Sequence, residues 1–201
     1  MTSAVSAISK AWTLFLDRDG VINQRLEGDY VKQWEEFSFI SGTLKALETF
    51  GNVFGRIIVV TNQQGVGKGL MTMSDLNHIH TRMTEEVKKA GGRIDKVYSC
   101  TQLEIDRPFC RKPNPGMALL ARKDFPEIRF KQSLMAGDSL SDLKFGRQLG
   151  MLTVLISPDN HLARQYPYFT DLWFENLAGL ADFLTGENPT FSSGSSIKNY
   201  S

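Results

Sequence analysis

The sequence predicts an α/β fold in which a mostly parallel sheet is covered by helices on both faces. Two observations carry this prediction. Short apolar or β-branched runs alternate with amphipathic helical segments along most of the chain. In addition, carboxylates or hydroxyls stand directly after three of those runs. Because the carboxyl ends of parallel strands meet at one edge of a sheet, these polar groups are expected to converge there.

Six strands are predicted from runs of four to seven residues. The clearest is 56–61 (RIIVVT), since β-branched side chains dominate it. The first, 12–16 (WTLFL), is apolar and stops at Asp17, Arg18 and Asp19. The others are 94–100, 133–137, 152–156 and a short last strand at 171–174.

Five helices are predicted between these strands. The longest begins at Thr72 or Ser74 and ends at the Gly91–Gly92 pair, with apolar residues three and four positions apart. On it, His78 and His80 point to different faces, and we expect both at the surface. The other helices are 41–50 capped by Ser41, 116–125, 141–150 capped by Ser141, and 177–184.

The domain organisation follows from length and composition. A chain of 201 residues is long enough for one sizeable core and short for two. We expect an N-terminal arm at 1–10, a single domain at 11–184, and a Ser/Gly-rich tail at 185–201.

Composition and charge argue against several classes of function. The net charge of +1 does not indicate the basic surface that binding of nucleic acid requires. No apolar run is long enough to span a membrane. Cys100 and Cys110 are too few for a disulfide scaffold, so we expect reduced thiols in a soluble cytoplasmic protein. A monomer or a small homo-oligomer is expected.

The polar groups after the strands suggest phosphate chemistry. Asp17, Asp19 and Asp138 offer the hard oxygen ligands that Mg²⁺ prefers. Lys112 and Thr61 could hold a phosphoryl group while a carboxylate attacks it. The segment GVGKG at 65–69 is not a nucleotide phosphate loop, since glycine follows the lysine where serine or threonine is required.

Four segments in this order resemble the motifs of the haloacid dehalogenase (HAD) superfamily of phosphohydrolases: DRDGVIN (17–23), TNQQGV (61–66), RKPNPGM (111–117) and GDSLSD (137–142). With YVKQWEEFSFI (30–40), they are similar to the heptose 1,7-bisphosphate 7-phosphatases and the related histidinol-phosphate phosphatases. The resemblance implies a Rossmann-like, doubly wound sheet. The short spacing between motifs leaves little room for a cap domain.

The resemblance also implies roles for individual residues. Asp17 would be the nucleophile and a metal ligand, and Asp19 the acid and base whose main-chain carbonyl binds the metal. Thr61 and Lys112 would hold the phosphoryl group. Asp138 would complete the Mg²⁺ site, with Asp142 supporting Asp138 or Lys112. The expected substrate contacts are Arg18, Arg25, Tyr30, Asn62, Gln63 and Arg111.

One departure from the family concerns metal binding. Relatives usually carry a zinc loop of three cysteines and a histidine before the RKP motif. Here Cys100 and Cys110 match the outer positions, but Gln102 and Pro108 replace the other two ligands. Two thiolates do not make a tetrahedral site, so we expect no zinc.

These inferences favour a Mg²⁺-dependent phosphomonoester hydrolase that works through an aspartyl-phosphate. The expected substrate is a small phosphorylated metabolite, with heptose 1,7-bisphosphate first and histidinol phosphate as the alternative. A non-catalytic phosphate-binding or receiver-like module remains open, although such a module has no need of an acid/base at Asp19. Neither a nucleic-acid nor a membrane partner is expected.

Overall fold

A computed structural model describes residues 8–187, and in this range the strands form one parallel sheet. The strand order is β3-β2-β1-β4-β5-β6, and every neighbouring pair is parallel. The predicted fold class is therefore confirmed. The strands are β1 Thr13–Leu16, β2 Arg56–Asn62, β3 Lys96–Cys100, β4 Ser133–Gly137, β5 Leu152–Ile156 and β6 Leu172–Phe174.

Helices cover both faces of this sheet. The helices of residues 8–187 are α1 Thr43–Val53, α2 Met73–Lys89, α3 Gly116–Asp124, α4 Leu140–Gln148, α5 His161–Gln165 and α6 Leu177–Thr185. Helices α1, α2 and α6 pack on the face that carries Leu14 and Leu16 of β1. Helices α3 and α4 pack on the opposite face with Phe15. The alternation along β1 thus supplies both layers of the core, as expected for a strand buried on both sides.

The strand order creates a switch point beside β1. From β1 the chain adds β2 and β3 on one side, and it then crosses to the other side to add β4. Helices diverge at such a point and leave a crevice outside the carboxyl ends of the strands. Asp17 follows β1, Thr61 lies in the last part of β2, and Asp138 follows β4. The predicted convergence of these residues at one edge is what the strand order produces.

Two local predictions were wrong, and one short helix was not predicted. Gly42, with φ +80°, and not Ser41 precedes α1. Ser139, and not Ser141, caps α4, because its N–H donates to the Asp142 carboxylate three residues later. The short helix α5 has no amphipathic pattern long enough to be recognised from sequence.

The connection after β1, residues 17–42, contains one short 3-10 helix, Trp34–Glu36, and residues 8–187 contain no separate cap domain. Within this range, no helix has both the length and the apolar character that crossing a membrane requires. Most of the predicted arm at 1–10, and residues 188–201 of the predicted tail, lie outside the described residues.

The expectation of reduced cysteines was also wrong, because Cys100 and Cys110 form a disulfide. The loop between them turns back to the end of β3, so that the two Cα atoms lie 5.4 Å apart, which suits a disulfide. The spacing of the two cysteines in the sequence did not predict that they meet. The bond fastens the loop that leads into Arg111 and Lys112. Both sulfurs are then unavailable as zinc thiolates, and the lack of zinc stays a prediction.

We expect reduction of this disulfide to lower the free energy of unfolding by about 2–3 kcal/mol, because it removes the closure of a short loop in the unfolded chain. Urea denaturation with and without dithiothreitol measures the change. A Cys100→Ala/Cys110→Ser variant is the control and should not respond to the reductant. Free thiols detected in the denatured, unreduced protein would contradict the disulfide.

Candidate active site

A buried ion-pair cluster lies at the carboxyl end of β1. The Lys112 Nζ is 2.8 Å from Asp17 Oδ1 and 2.5 Å from Asp142 Oδ1. It also donates to the main-chain carbonyl of Val60 at 2.7 Å. The Lys112 side chain is only 1% exposed. One ammonium therefore compensates two carboxylates in the protein interior, where an unpaired charge is costly.

The elements around Lys112 fix its position. The main-chain N–H of Lys112 donates to Asn62 Oδ1 at 3.0 Å, and the side-chain amide of Asn62 donates back to the main-chain carbonyl of Lys112 at 3.2 Å. On the other side, Ser139 Oγ donates to Asp142 Oδ2 at 2.5 Å. Gly137 makes this approach possible, since a Cβ there would lie 2.1 Å from the Asp142 Cβ. Asp142 thus supports Lys112 while it also caps α4.

Asp19 lies in a cage of hydrogen-bond donors. Its Oδ1 accepts from Arg18 Nη2 and from Asn23 Nδ2, both at 2.9 Å. Its Oδ2 accepts from Gln63 Nε2 at 2.7 Å, and Gln63 also donates to Thr61 Oγ1 at 2.9 Å. Although burial opposes it, the guanidinium of Arg18 and these hydrogen bonds lower the pKa of Asp19. Asp19 is therefore ionised and firmly oriented.

The third carboxylate, Asp138, approaches the backbone of the turn after β1. A Cβ at Gly20, which has φ +86°, would lie 1.9 Å from Asp138 Oδ2, so only glycine fits here. The Arg25 Nη2 donates to Asp138 Oδ1 at 2.9 Å and to the Asp19 carbonyl at 3.4 Å. Arg25 therefore bridges two groups that were predicted to bind the metal.

Burial and like charge shift the pKa values of two of these carboxyls upward. Burial, followed by the charge of Asp142, raises the pKa of Asp17 to about 6 although Lys112 is adjacent. Burial, followed by the charges of Asp17 and Asp142, raises the pKa of Asp138 to about 8 and outweighs Arg25. Burial alone would lower the pKa of Lys112, but the two carboxylates raise it, so the amine stays charged.

Asp17 and Asp19 line a cavity of about 480 Å³. Residues 25–31 form one wall, and Arg111 with its neighbours forms another. The catalytic candidates that line it are Asp17, Asp19, Thr61 and Lys112, and Asn62, Arg25, Tyr30 and Arg111 lie along its sides. Two further lining residues are Ser141, which was predicted only as a helix cap, and Ser139, which was named only within the GDSLSD segment.

The structure places two of the predicted substrate contacts away from the cavity. Arg18 and Gln63 are fully buried and both face Asp19, so neither reaches the cavity. Asn23, which the sequence analysis did not single out, is buried beside them. Its position in the DRDGVIN segment is the sequence feature that could have identified Asn23 as part of the site. His80, expected at the surface, is only 9% exposed, and its Nε2 lies 3.1 Å from Arg18 Nη1.

Comparison with known proteins agrees with this geometry. Residues 109–180 match a family model described as HAD-hydrolase-like. A heptose 1,7-bisphosphate 7-phosphatase named for the D-glycero-alpha-D-manno sugar, from Mycobacterium bovis, is 41% identical over 69% of this chain and 73% of its own. The Campylobacter jejuni protein of the same name is 34% identical over 87% of this chain and 96% of its own. The chain belongs to the HAD hydrolase family.

A solved structure extends this similarity to three dimensions. The D,D-heptose 1,7-bisphosphate phosphatase from B. bronchiseptica, complexed with magnesium and phosphate, has a TM-score of 0.76 and 30% identity. The match covers 88% of this chain and 99% of that one. The similarity of this HAD hydrolase to the B. bronchiseptica protein therefore extends over most of both chains.

Replacement of Lys112 by methionine should destabilise the protein by about 3–5 kcal/mol, because two buried carboxylates lose their counter-charge. The cost should shrink at about pH 5, where the Asp17 carboxyl, with its pKa of about 6, becomes protonated. Urea denaturation in EDTA at about pH 5 and about pH 8 measures both effects. Lys123→Met, on the exposed surface of α3, is the matched control. Equal losses in the free energy of unfolding for Lys112→Met and Lys123→Met would contradict the buried cluster.

Proposed function

We propose that this HAD hydrolase is a Mg²⁺-dependent phosphomonoester phosphatase in which Asp17 is the nucleophile and Asp19 the acid and base. The observation that carries the proposal is the presence of both carboxylates, in different environments, at the floor of one cavity that Lys112 and Thr61 also line. A receiver-like module needs only the first carboxylate, so the ordered cage around Asp19 favours a catalyst.

The donor set suits a hard divalent cation. Carboxylate oxygens of Asp17, Asp138 and Asp142 lie within 4.8 Å of one another, and the Asp19 carbonyl is within reach of the same Arg25 guanidinium as Asp138. Mg²⁺ prefers such oxygen ligands. We assign Asp17, Asp138 and the Asp19 carbonyl as ligands, since Asp142 is held by Lys112 and Ser139. The bound ion would favour the ionised form of Asp17 and neutralise charge on the phosphoryl oxygens.

In the first step, a carboxylate oxygen of Asp17 attacks phosphorus, and the bond from phosphorus to the substrate oxygen breaks. Asp19 gives a proton to that leaving oxygen. Asp19 is ionised in the substrate-free site, and the approach of a phosphate dianion would raise its pKa, so that Asp19 takes up from solvent the proton that it then donates. Lys112 and Thr61 contact the transferring group, whose charge the ammonium stabilises.

In the second step, the aspartyl-phosphate is hydrolysed. Asp19, now deprotonated, takes a proton from a water molecule, whose oxygen attacks phosphorus. The bond between phosphorus and Asp17 breaks, and inorganic phosphate leaves. The cage of Arg18, Asn23 and Gln63 holds the Asp19 carboxylate in one orientation for both proton transfers.

We propose D-glycero-D-manno-heptose 1,7-bisphosphate as the substrate, with loss of the 7-phosphate, because the relatives over most of the chain carry that name. The cavity agrees with a phosphorylated sugar in its chemistry. Its walls offer Arg111, Tyr30 and the hydroxyls of Ser139 and Ser141. One guanidinium nitrogen of Arg111, Nη1, is buried without a hydrogen-bond partner in residues 8–187 and could serve a substrate oxygen.

Phosphate release by the purified protein tests the activity and the substrate together. With Mg²⁺ we expect release from both heptose bisphosphate anomers to exceed that from fructose 1,6-bisphosphate and histidinol phosphate. EDTA should abolish it. Asp17→Asn should show no turnover, and Asp19→Asn should lose about 10²–10⁴-fold in kcat while it still binds Mg²⁺, because the metal uses its carbonyl.

The control for these two variants is Glu85→Gln, an exposed carboxylate on α2 that should leave turnover unchanged. Well-folded protein without release from any of these compounds would refute the phosphatase. Release that favours histidinol phosphate would keep the chemistry and replace the substrate. Unchanged turnover in Asp19→Asn would remove the acid/base role from that residue.

Arg25 should compete with the metal, because its guanidinium bridges Asp138 and the Asp19 carbonyl. Arg25→Gln is therefore expected to tighten Mg²⁺ binding by about two- to fivefold, because the metal no longer has to displace a partly exposed ion pair of modest strength. Isothermal titration calorimetry of the metal-free protein measures it, with the exposed Arg164→Gln as control. Weaker binding in Arg25→Gln than in the control would contradict competition.

A further inference from the structure

A buried chain of contacts connects α2 to the carboxylate of Asp19. The His80 ring lies on the inner side of α2, and its Nε2 is 3.1 Å from Arg18 Nη1. The other terminal nitrogen of Arg18, Nη2, donates to Asp19 Oδ1 at 2.9 Å. Arg18 is fully buried, and His80 is nearly so. Neither lines the cavity, so the contact has no direct part in binding substrate.

The chemistry of arginine fixes the direction of the first contact. A guanidinium has only donors, so Nε2 of His80 must be the acceptor, and the ring proton must lie on Nδ1. A neutral ring is required, because an imidazolium would place two cations side by side in the interior. Burial and the charge of Arg18 both favour this form, and they lower the pKa of His80 to about 3.

We propose that His80 is a positioning residue that holds Asp19, through Arg18, in the orientation needed for proton transfer. The proposal rests on the proposed function, since it takes Asp19 as the acid and base. Without the His80 acceptor, Arg18 would keep an unpaired donor in the interior, where unpaired polar groups are unfavourable. The nearest remedy is a rotation of the guanidinium, and this would loosen its hydrogen bond to Asp19.

The matched variants are His80→Gln and His80→Met. Glutamine carries an acceptor oxygen at about the reach of the imidazole Nε2, whereas methionine has similar length and no comparable acceptor. A merely structural role would make the two variants similar. His78→Gln, on the exposed side of the same helix, is the surface control. Melting temperatures identify any variant that is not folded.

The decisive kinetic readout compares two leaving groups. A sugar alkoxide needs a proton from Asp19 in order to leave, whereas p-nitrophenolate leaves without one. The value of kcat/KM covers the steps up to and including transfer of the phosphoryl group to Asp17. For the sugar phosphate that the wild type hydrolyses best, we expect His80→Met to lose about tenfold or more in kcat/KM. For p-nitrophenyl phosphate the loss should stay below about threefold, and His80→Gln should stay within about threefold of the wild type on both.

Equal losses on the two substrates, or no recovery in His80→Gln, would overturn the proposal. A second measurement is independent of activity. Nitrogen-15 NMR of the histidine rings in the wild-type protein should show His80 neutral with its proton on Nδ1, and a proton on Nε2 would refute the contact. If the wild type is inactive on every substrate, the phosphatase fails, and the NMR result still decides whether His80 accepts from Arg18.

Discussion

The position of Lys112 between Asp17 and Asp142 is the interaction on which the site depends. Asp17 follows β1, and Asp142 lies in the first turn of α4, which follows the neighbouring strand β4. The two carboxylates would repel in the absence of a cation. The lysine arrives from a third direction, on the loop that the Cys100–Cys110 disulfide fastens to β3. The strand order and the loop that the disulfide fastens therefore bring the three charges of the site together.

Two carboxylates that are two residues apart have opposite surroundings. Asp17 is buried among like charges, which raises its pKa, whereas Asp19 is surrounded by donors, which lower its pKa. This order is the reverse of the one that a nucleophile and an acid require during the reaction. In the proposed mechanism, the phosphate dianion of the substrate would raise the pKa of Asp19, and the assigned cation would lower the pKa of Asp17. Substrate binding would then convert the oriented, ionised Asp19 to the acid.

Arginines hold the turn after β1 from two sides. Arg18 lies beneath the turn, where it links His80 to Asp19, and Arg25 lies above it, where it links Asp138 to the Asp19 carbonyl. The buried arginine lacks access to ligands and can act only through orientation. The exposed one lines the cavity and can exchange partners when a cation or substrate arrives. Arg18 and Arg25, both close to the turn after β1, therefore have separate physical roles.

The sequence by itself determined the alternation of strands and helices, the four motifs, and the meeting of Asp17, Thr61 and Asp138 at one sheet edge. Those features depend on local pattern and on the geometry of parallel strands, which apply before any tertiary contact is known. Only the tertiary structure decided that Arg18, Gln63 and His80 are buried around Asp19, and that the two cysteines meet. Polar side chains give no periodic signal of burial, because their partners come from distant parts of the chain. Asn23 and the Ser139 cap were missed for a different reason, because their partners Asp19 and Asp142 are only four and three residues away, and local sequence does not show which of several neighbouring polar groups pair.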